Sequence, residues 1–263
     1  MRRYMMAAVA AGLGLISSLA LAQDAGWKPC PRCQTNEQRA AATKNDKGHA
    51  FDAHDLTGIW SRQGLALSND VPPMTAWGQA KYDKTRPGMG PRAVPQGNDP
   101  MMICDPLGFP RWLNYNYGME IVNLPGRTIQ FFETYHTNRT IWTDGRSLPK
   151  DPDPRWMGYS IGKWEGDTFV VDSNGFDDRS WIDTVGHQHS DAMTTRETYR
   201  RLSYDRLEVT LTINDPKTYT KPWVTKGTLD LRSGTEMGEY FCVPSEEQTY
   251  KAQVRDRAAK PTP

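Results

Sequence analysis

The feature that most constrains this chain is a succession of short alternating segments divided by turn residues, from Met119 to Val243. In LEVTLTIND, Leu207, Val209, Leu211 and Ile213 alternate with Glu208, Thr210, Thr212 and Asn214. Successive side chains of a strand point to opposite faces, so this period of two predicts a strand with one buried and one wetted face. MEIVNL and RTIQFFETY flank Pro125-Gly126, NRTIWT ends at Asp144-Gly145, and YSIGKW and DTFVVD join around Glu165-Gly166. TRETYRRL meets LEVTLTIND across Ser203-Tyr204-Asp205, and TKGTLDLR meets MGEYFCV across Ser233-Gly234. Glycine in such turns permits the positive φ that a tight hairpin needs. With DLTGIW as the first strand, roughly ten strands follow one another with almost no helix. A meander of that length is expected to curl and close, because closure removes exposed edges. The predicted fold class is all-β: an antiparallel meander closed into a barrel of about eight to ten strands, with room for one small ligand.

Residues 72–106 interrupt this pattern with many prolines and glycines. Within them MTAWGQAKYDK reads as a short helix capped by Thr75, with Trp77 and Tyr82 toward the core. Long ordered excursions of this kind tend to be covers or lids. The chain opens MRRYMMAAVAAGLGLISSLALAQ: a positive start at Arg2 and Arg3, an apolar run, and Ala20-Leu21-Ala22 before Gln23. That is the pattern of a secretory signal peptide, 1–22, cleaved near Ala22-Gln23, which implies a periplasmic or secreted protein. Residues 23–52 form a polar N-terminal arm, 53–253 a single barrel domain that includes the 72–106 excursion, and 254–263 a flexible tail.

Lys plus Arg number 32 against 31 Asp plus Glu, a net charge of +1. Phosphate binding needs a concentrated positive face, so a nucleic-acid partner is not expected. After the leader no stretch is apolar for long enough to span a membrane as a helix. The 9 tryptophans are a large aromatic payload that can fill a core or line a pocket. The expected partner is a small molecule; oligomeric state is not legible.

Four cysteines in an exported chain point to disulfides, paired most simply as Cys30–Cys33 and Cys104–Cys242. The C-P-R-C motif also admits a redox pair or half of a metal site. His49 and His54 extend it to a loose C-x-x-C…H-x-x-x-x-H pattern.

Two resemblances rest on particular residues. Gly58-Ile59-Trp60 resembles the G-x-W in the first strand of lipocalin-like (calycin) barrels, which implies a barrel that binds small apolar molecules. HDLTGIW, ICDPLGFPR, RTIWTDGR, MGYSIGKWEGDTFVVDSNGF and HSDAMTTRETYRR resemble a family of uncharacterised exported bacterial proteins. Its W-x-G-x-S-x-G-x-W-E-G-D-T core spans Trp156 to Thr168, and it implies no particular activity.

Several residues are candidates for chemistry. His187 and His189 stand two apart, so in an extended segment both imidazoles face one side. They are candidate metal ligands with Asp183, the site completed by Asp191 or Glu197, or candidate acid/base groups. Two polar loop histidines are the plain alternative. Glu133 shares a strand face with Ile129, Phe131 and Tyr135; if that face is the lumen, it is a general base or a ligand-orienting group, and otherwise it pairs with Arg139 or another arginine. Glu197 is a further catalytic candidate with an expected partner in Arg201 or Tyr199. Arg146, after Asp144-Gly145, either clamps a ligand carboxylate or pairs with a neighbouring acid. Ser160 matches the letters G-x-S-x-G, but a nucleophile elbow needs a following helix, and here a strand is expected.

The leading expectation is an exported barrel binding a small apolar or aromatic molecule, with Trp60, Trp142, Trp156, Trp164, Tyr135 and Arg146 as ligand-binding candidates. One alternative is a hydrolase, lyase or isomerase using His187, His189, Glu133 and Glu197, with no cofactor or with a divalent metal. Another is a structural or interaction module of the cell envelope.

Overall fold

The computed structural model describes residues 49–63, 70–86, 99–115 and 117–243. The leader, Cys30, Cys33, most of the arm and the tail lie outside the described residues, so the expectations placed on them do too.

Nine strands close into one barrel in chain order. They are β1 (Gly58–Gln63), β2 (Gly118–Leu124), β3 (Arg127–Phe132), β4 (Asn138–Trp142), β5 (Tyr159–Glu165), β6 (Thr168–Asn174), β7 (Thr194–Ser203), β8 (Arg206–Asn214) and β9 (Trp223–Leu231). Closure is made by β1 against β9, with Trp60 opposite Leu231. The barrel is compatible with the calycin-like architecture expected from the sequence. Turn chemistry sets the hairpins. Glu165 pairs with Thr168 across Gly166-Asp167, and Gly166 takes φ +57° with open space around it. In β8 the alternation holds throughout: Leu207, Val209, Leu211 and Ile213 are buried.

Two expectations are corrected. The meander is not wholly antiparallel, because β4 and β5 run parallel. A parallel neighbour needs a crossover rather than a tight turn, and residues 143–158 supply it. The tenth strand, MGEYFCV, does not pair with β9. The free edge of β9 is taken by β1, so this segment runs off the barrel, and Tyr240 makes one isolated bridge to Thr134. Cys242 is held by its disulfide to Cys104, 138 residues away in sequence. That is the predicted pairing, and it ties the end of the described chain to the long β1–β2 excursion.

The excursion carries α1 (Ala76–Thr85) and two short 3-10 turns, Pro100–Ile103 and Arg111–Asn114. Thr75 caps α1 as expected, accepting a hydrogen bond from the Gly78 amide. Trp77, expected to face the core, is instead exposed, with Lys81 and Lys217 over its ring. Tyr82 stacks on His187, ring centroids 4.9 Å apart.

One apolar cluster fills the barrel and continues beneath the excursion. It includes Trp60, Met119, Ile121, Phe169, Val171, Tyr199, Leu207, Val209, Leu211, Ile213, Trp223 and Leu229, joined by Phe109, Trp112 and Leu113. Gly162 belongs to this packing: a Cβ there would meet the Phe169 ring at 2.5 Å and the Ile141 side chain at 2.8 Å.

Candidate functional site

The parallel pair β4–β5 registers only at Ile141–Ser160 and Trp142–Ile161. On one side of these two pairings the strands part, and the chain before β5 swings away. The Gly158 backbone, at φ +63°, makes that swing; a Cβ there would meet the Asn174 carbonyl oxygen at 2.7 Å. The result is a cleft of about 430 Å³ lined by Thr137, Arg139, Thr140, Trp142, Arg155, Trp156, Tyr159 and Ser160, among others. A smaller cleft of about 220 Å³ shares Trp142, Tyr159 and Ser160, and adds Arg146, Leu148 and Pro149. Three aromatic side chains and a set of arginines thus converge on one seam of the barrel.

The arginines differ in how they are satisfied. Arg146 is held by Asp144, Nε to Oδ1 at 2.9 Å and Nη2 to Oδ2 at 2.5 Å, and its guanidinium lies 3.6 Å from the centre of the Trp142 ring. The Arg146 side-chain hydrogen bond holds the Asp144 carboxyl below its ordinary range. Arg179 is likewise paired with Asp177 and lies 4.5 Å over Trp156. Arg155 stacks 4.1 Å over Tyr159 and is exposed; among the described residues its guanidinium has no carboxylate partner.

Behind the seam lies a buried polar network that the lumen face of five strands builds together. Arg139 of β4 donates from Nε to Ser160 Oγ (2.8 Å), from Nη1 to Gln130 (3.4 Å) and Glu197 (2.9 Å), and from Nη2 to Ser173 (2.7 Å) and Glu197 (2.7 Å). Tyr199 donates to the same carboxylate at 2.6 Å and accepts from Gln130 at 3.1 Å. Phe109 closes the other side, its ring 4.0 Å from the guanidinium. Burial alone would lower the Arg139 pKa, yet the Glu197 charge and hydrogen bonds raise it, so the cation is kept. Burial, with the Glu197 charge, raises the Tyr199 hydroxyl well above its ordinary value. A buried ion pair holds only when its remaining donors and acceptors are met, and here every guanidinium hydrogen has a partner.

The histidine segment lies in the β6–β7 connection at another place in the fold. His187 Nδ1 is bonded to Asp183 Oδ2, whose second oxygen accepts from the Val185 and His187 amides at 3.0 and 3.1 Å. His189 is fully buried, with Nε2 on Ser180 Oγ at 2.9 Å and Nδ1 on the Ser190 carbonyl at 2.9 Å. A carbonyl only accepts, so Nδ1 carries the proton. Burial lowers the His189 pKa, which keeps the ring neutral.

The sequence-derived candidates therefore separate. Trp142, Trp156 and Arg146 come together at the seam. Trp60 does not: it is fully buried in the core and donates Nε1–H to the Leu56 carbonyl at 2.9 Å. Trp164 packs against Phe169 and stacks on His54 at 4.4 Å. Tyr135 sits by the disulfide region, beside Tyr240. The lumen condition for Glu133 is not met, since Thr128, Gln130 and Phe132 are the buried face of β3. Glu133 instead accepts from the Gly118 and Gly238 amides at 2.5 and 2.8 Å, and Arg232 lies 3.4 Å away. Its partner is not Arg139. Glu197 is paired with Arg139 as well as the expected Tyr199, while Arg201 binds the carbonyls of Asp55, Ser203 and Tyr204. The two imidazoles do not face one point, because each is bonded to a different partner. Among the described residues no group of three His, Cys, Asp or Glu side chains is placed to hold a metal ion. Asp191 is on the surface with Lys217.

Sequence reasoning missed Arg139, Ser160, Arg155 and Tyr159 as neighbours of the tryptophans. The available signal was the unusual W-x-G-x-S core, where Gly158 and Ser160 bracket Tyr159 beside Trp156.

No family model matches the sequence, and no curated protein and no solved structure is significantly similar to it.

Proposed function

We propose that the protein is an exported small-molecule-binding barrel whose site is the β4–β5 seam. It takes a flat aromatic or apolar molecule against Trp142, Trp156 and Tyr159. The observation that carries the reading is the cleft of about 430 Å³, of the size range of small-molecule sites and lined by aromatic rings with a few polar groups at its floor. The interior packing supports the seam rather than the lumen, because large side chains already occupy the barrel. The Cys104–Cys242 disulfide suits an oxidising compartment. The test is calorimetric titration with an uncharged aromatic probe, 2-naphthamide, against the wild-type protein and Trp142→Ala/Trp156→Ala. Binding by the wild type that is lost in the double variant supports the site. Equal binding by both ends it, as does a wild type that binds neither 2-naphthamide nor the corresponding acid.

A second reading rests on Asp183–His187. The carboxylate holds Nδ1, and Nε2 makes no hydrogen bond among the described residues, an arrangement suited to a general base. It predicts slow hydrolysis of p-nitrophenyl acetate that His187→Gln removes; identical rates for the two proteins would exclude it.

A further inference from the structure

Among the described residues, the floor of the seam has a proton without an acceptor. Ser160 Oγ receives Arg139 Nε–H, Ser173 Oγ receives Arg139 Nη2–H, and the two hydroxyls lie 3.0 Å apart. One hydroxyl donates to the other, and the second then has a hydrogen for which the described residues provide no acceptor. Ser160 lines both clefts and is 2% exposed, whereas Ser173 lines neither. The arrangement that satisfies most groups has Ser173 donating to Ser160, and Ser160 donating into the cleft. A donor buried to this degree calls for an acceptor. At the rim, Arg155 lies 4.1 Å over the Tyr159 ring and has no acidic partner among the described residues, while Arg146 and Arg179 are each neutralised by their own aspartate.

Taking the seam as the binding site, we infer that its ligand is an aromatic carboxylate. The ring lies against Trp142, Trp156 and Tyr159. The anionic end is complemented by the Arg155 charge, and one of its oxygens accepts from Ser160, whose hydroxyl is polarised by Arg139 behind it. Arg139 positions Ser160 and does not itself reach the ligand, since all its hydrogens are used.

The experiment compares 2-naphthoate with its uncharged isostere 2-naphthamide by calorimetry on the mature protein. The carboxylate should bind about tenfold more tightly, the scale of one charge-assisted hydrogen bond. Arg155→Gln should reduce that preference to about twofold, and 0.5 M salt should do the same. Ser160→Ala should weaken 2-naphthoate by roughly tenfold, while Ser173→Ala, which disturbs the same network away from the cleft, should leave binding within about twofold. Melting curves identify any variant that fails to fold; for such a variant Ser160→Thr, which retains the hydroxyl, should bind within about threefold of wild type. Equal affinity for acid and amide, or equal loss in the two serine variants, would overturn the carboxylate assignment while leaving an aromatic site in place. No binding of either probe would instead remove the site itself.

Discussion

The two halves of this barrel are closed by different means. From β6 through β9 the strands are antiparallel and register without a break except at the Arg201–Ser203 irregularity, and Leu207, Val209, Leu211, Ile213 and Leu229 seal the interior. At β4–β5 the strands are parallel and register at two places only, and the gap is backed by an ion pair and two serines instead of apolar side chains. The first region spends its sequence on burial. In the second, strand pairing is given up, polar groups take over the inner wall, and rings and charges are left facing solvent. The lesson is that a closed barrel with a filled lumen can still offer a site where one pairing is short.

If the comparison is right, substitutions in the two halves should fail differently. The largest effect should come from Arg139→Met, which leaves Glu197 buried without its counter-charge, at a cost of about 3–5 kcal/mol by urea unfolding. Arg139→Met/Glu197→Leu should recover much of that loss; a double variant as unstable as the single one would show that the network does more than neutralise itself. In the sealed half, Leu211→Ala should cost about 3 kcal/mol through the cavity it opens and leave probe affinity unchanged. A change in affinity would mean that the two halves are coupled.

A smaller effect should be seen with pH. His189 is ordinarily protonated below 6.5, but burial lowers its pKa in the folded protein. Below pH 6.5 the unfolded chain therefore binds a proton that the folded one does not. The stability due to this group is complete above pH 6.5 and is lost as pH falls from there toward the folded pKa. The melting temperature should decline through that window, and His189→Gln should flatten the decline. An unchanged slope in the variant would assign it to other groups. The smallest stability change, within about 1 kcal/mol, should follow Trp142→Ala, because that ring is only half-buried; its effect should be on binding.

Much of the sealed half was legible in the sequence. The alternation in LEVTLTIND fixes which face of β8 is inside, and Glu165-Gly166-Asp167 marks a tight hairpin on local grounds. The seam was less so. Periodicity locates a strand but not its direction, so nothing in NRTIWT or YSIGKW distinguishes a parallel neighbour from an antiparallel one. Arg139 and Glu197 lie 58 residues apart, and local pattern offered Glu197 only its own-strand neighbours. The face of Glu133 stayed open for a related reason: RTIQFFETY has bulky residues in both registers, and the neighbouring strands decide that Gln130 and Phe132 point inward, leaving Glu133 beside Arg232. Likewise MGEYFCV has the composition of a strand, but the edge it would need is occupied by β1. The two tryptophans of the motif, Trp156 and Trp164, could be read as pocket-forming; that Tyr159 joins Trp156 and Trp142 at the seam while Trp164 does not could not.

The most direct test of the seam as the binding site is an NMR titration of the ¹⁵N-labelled protein with 2-naphthoate, following the indole Nε1–H signals assigned by single Trp→Phe variants. The Trp142 and Trp156 signals should shift together and saturate with one constant, while those of Trp60 and Trp223, buried in the core, stay in place. Saturable shifts at Trp60 and Trp223 with Trp142 and Trp156 unmoved would put the ligand in the lumen and contradict the account.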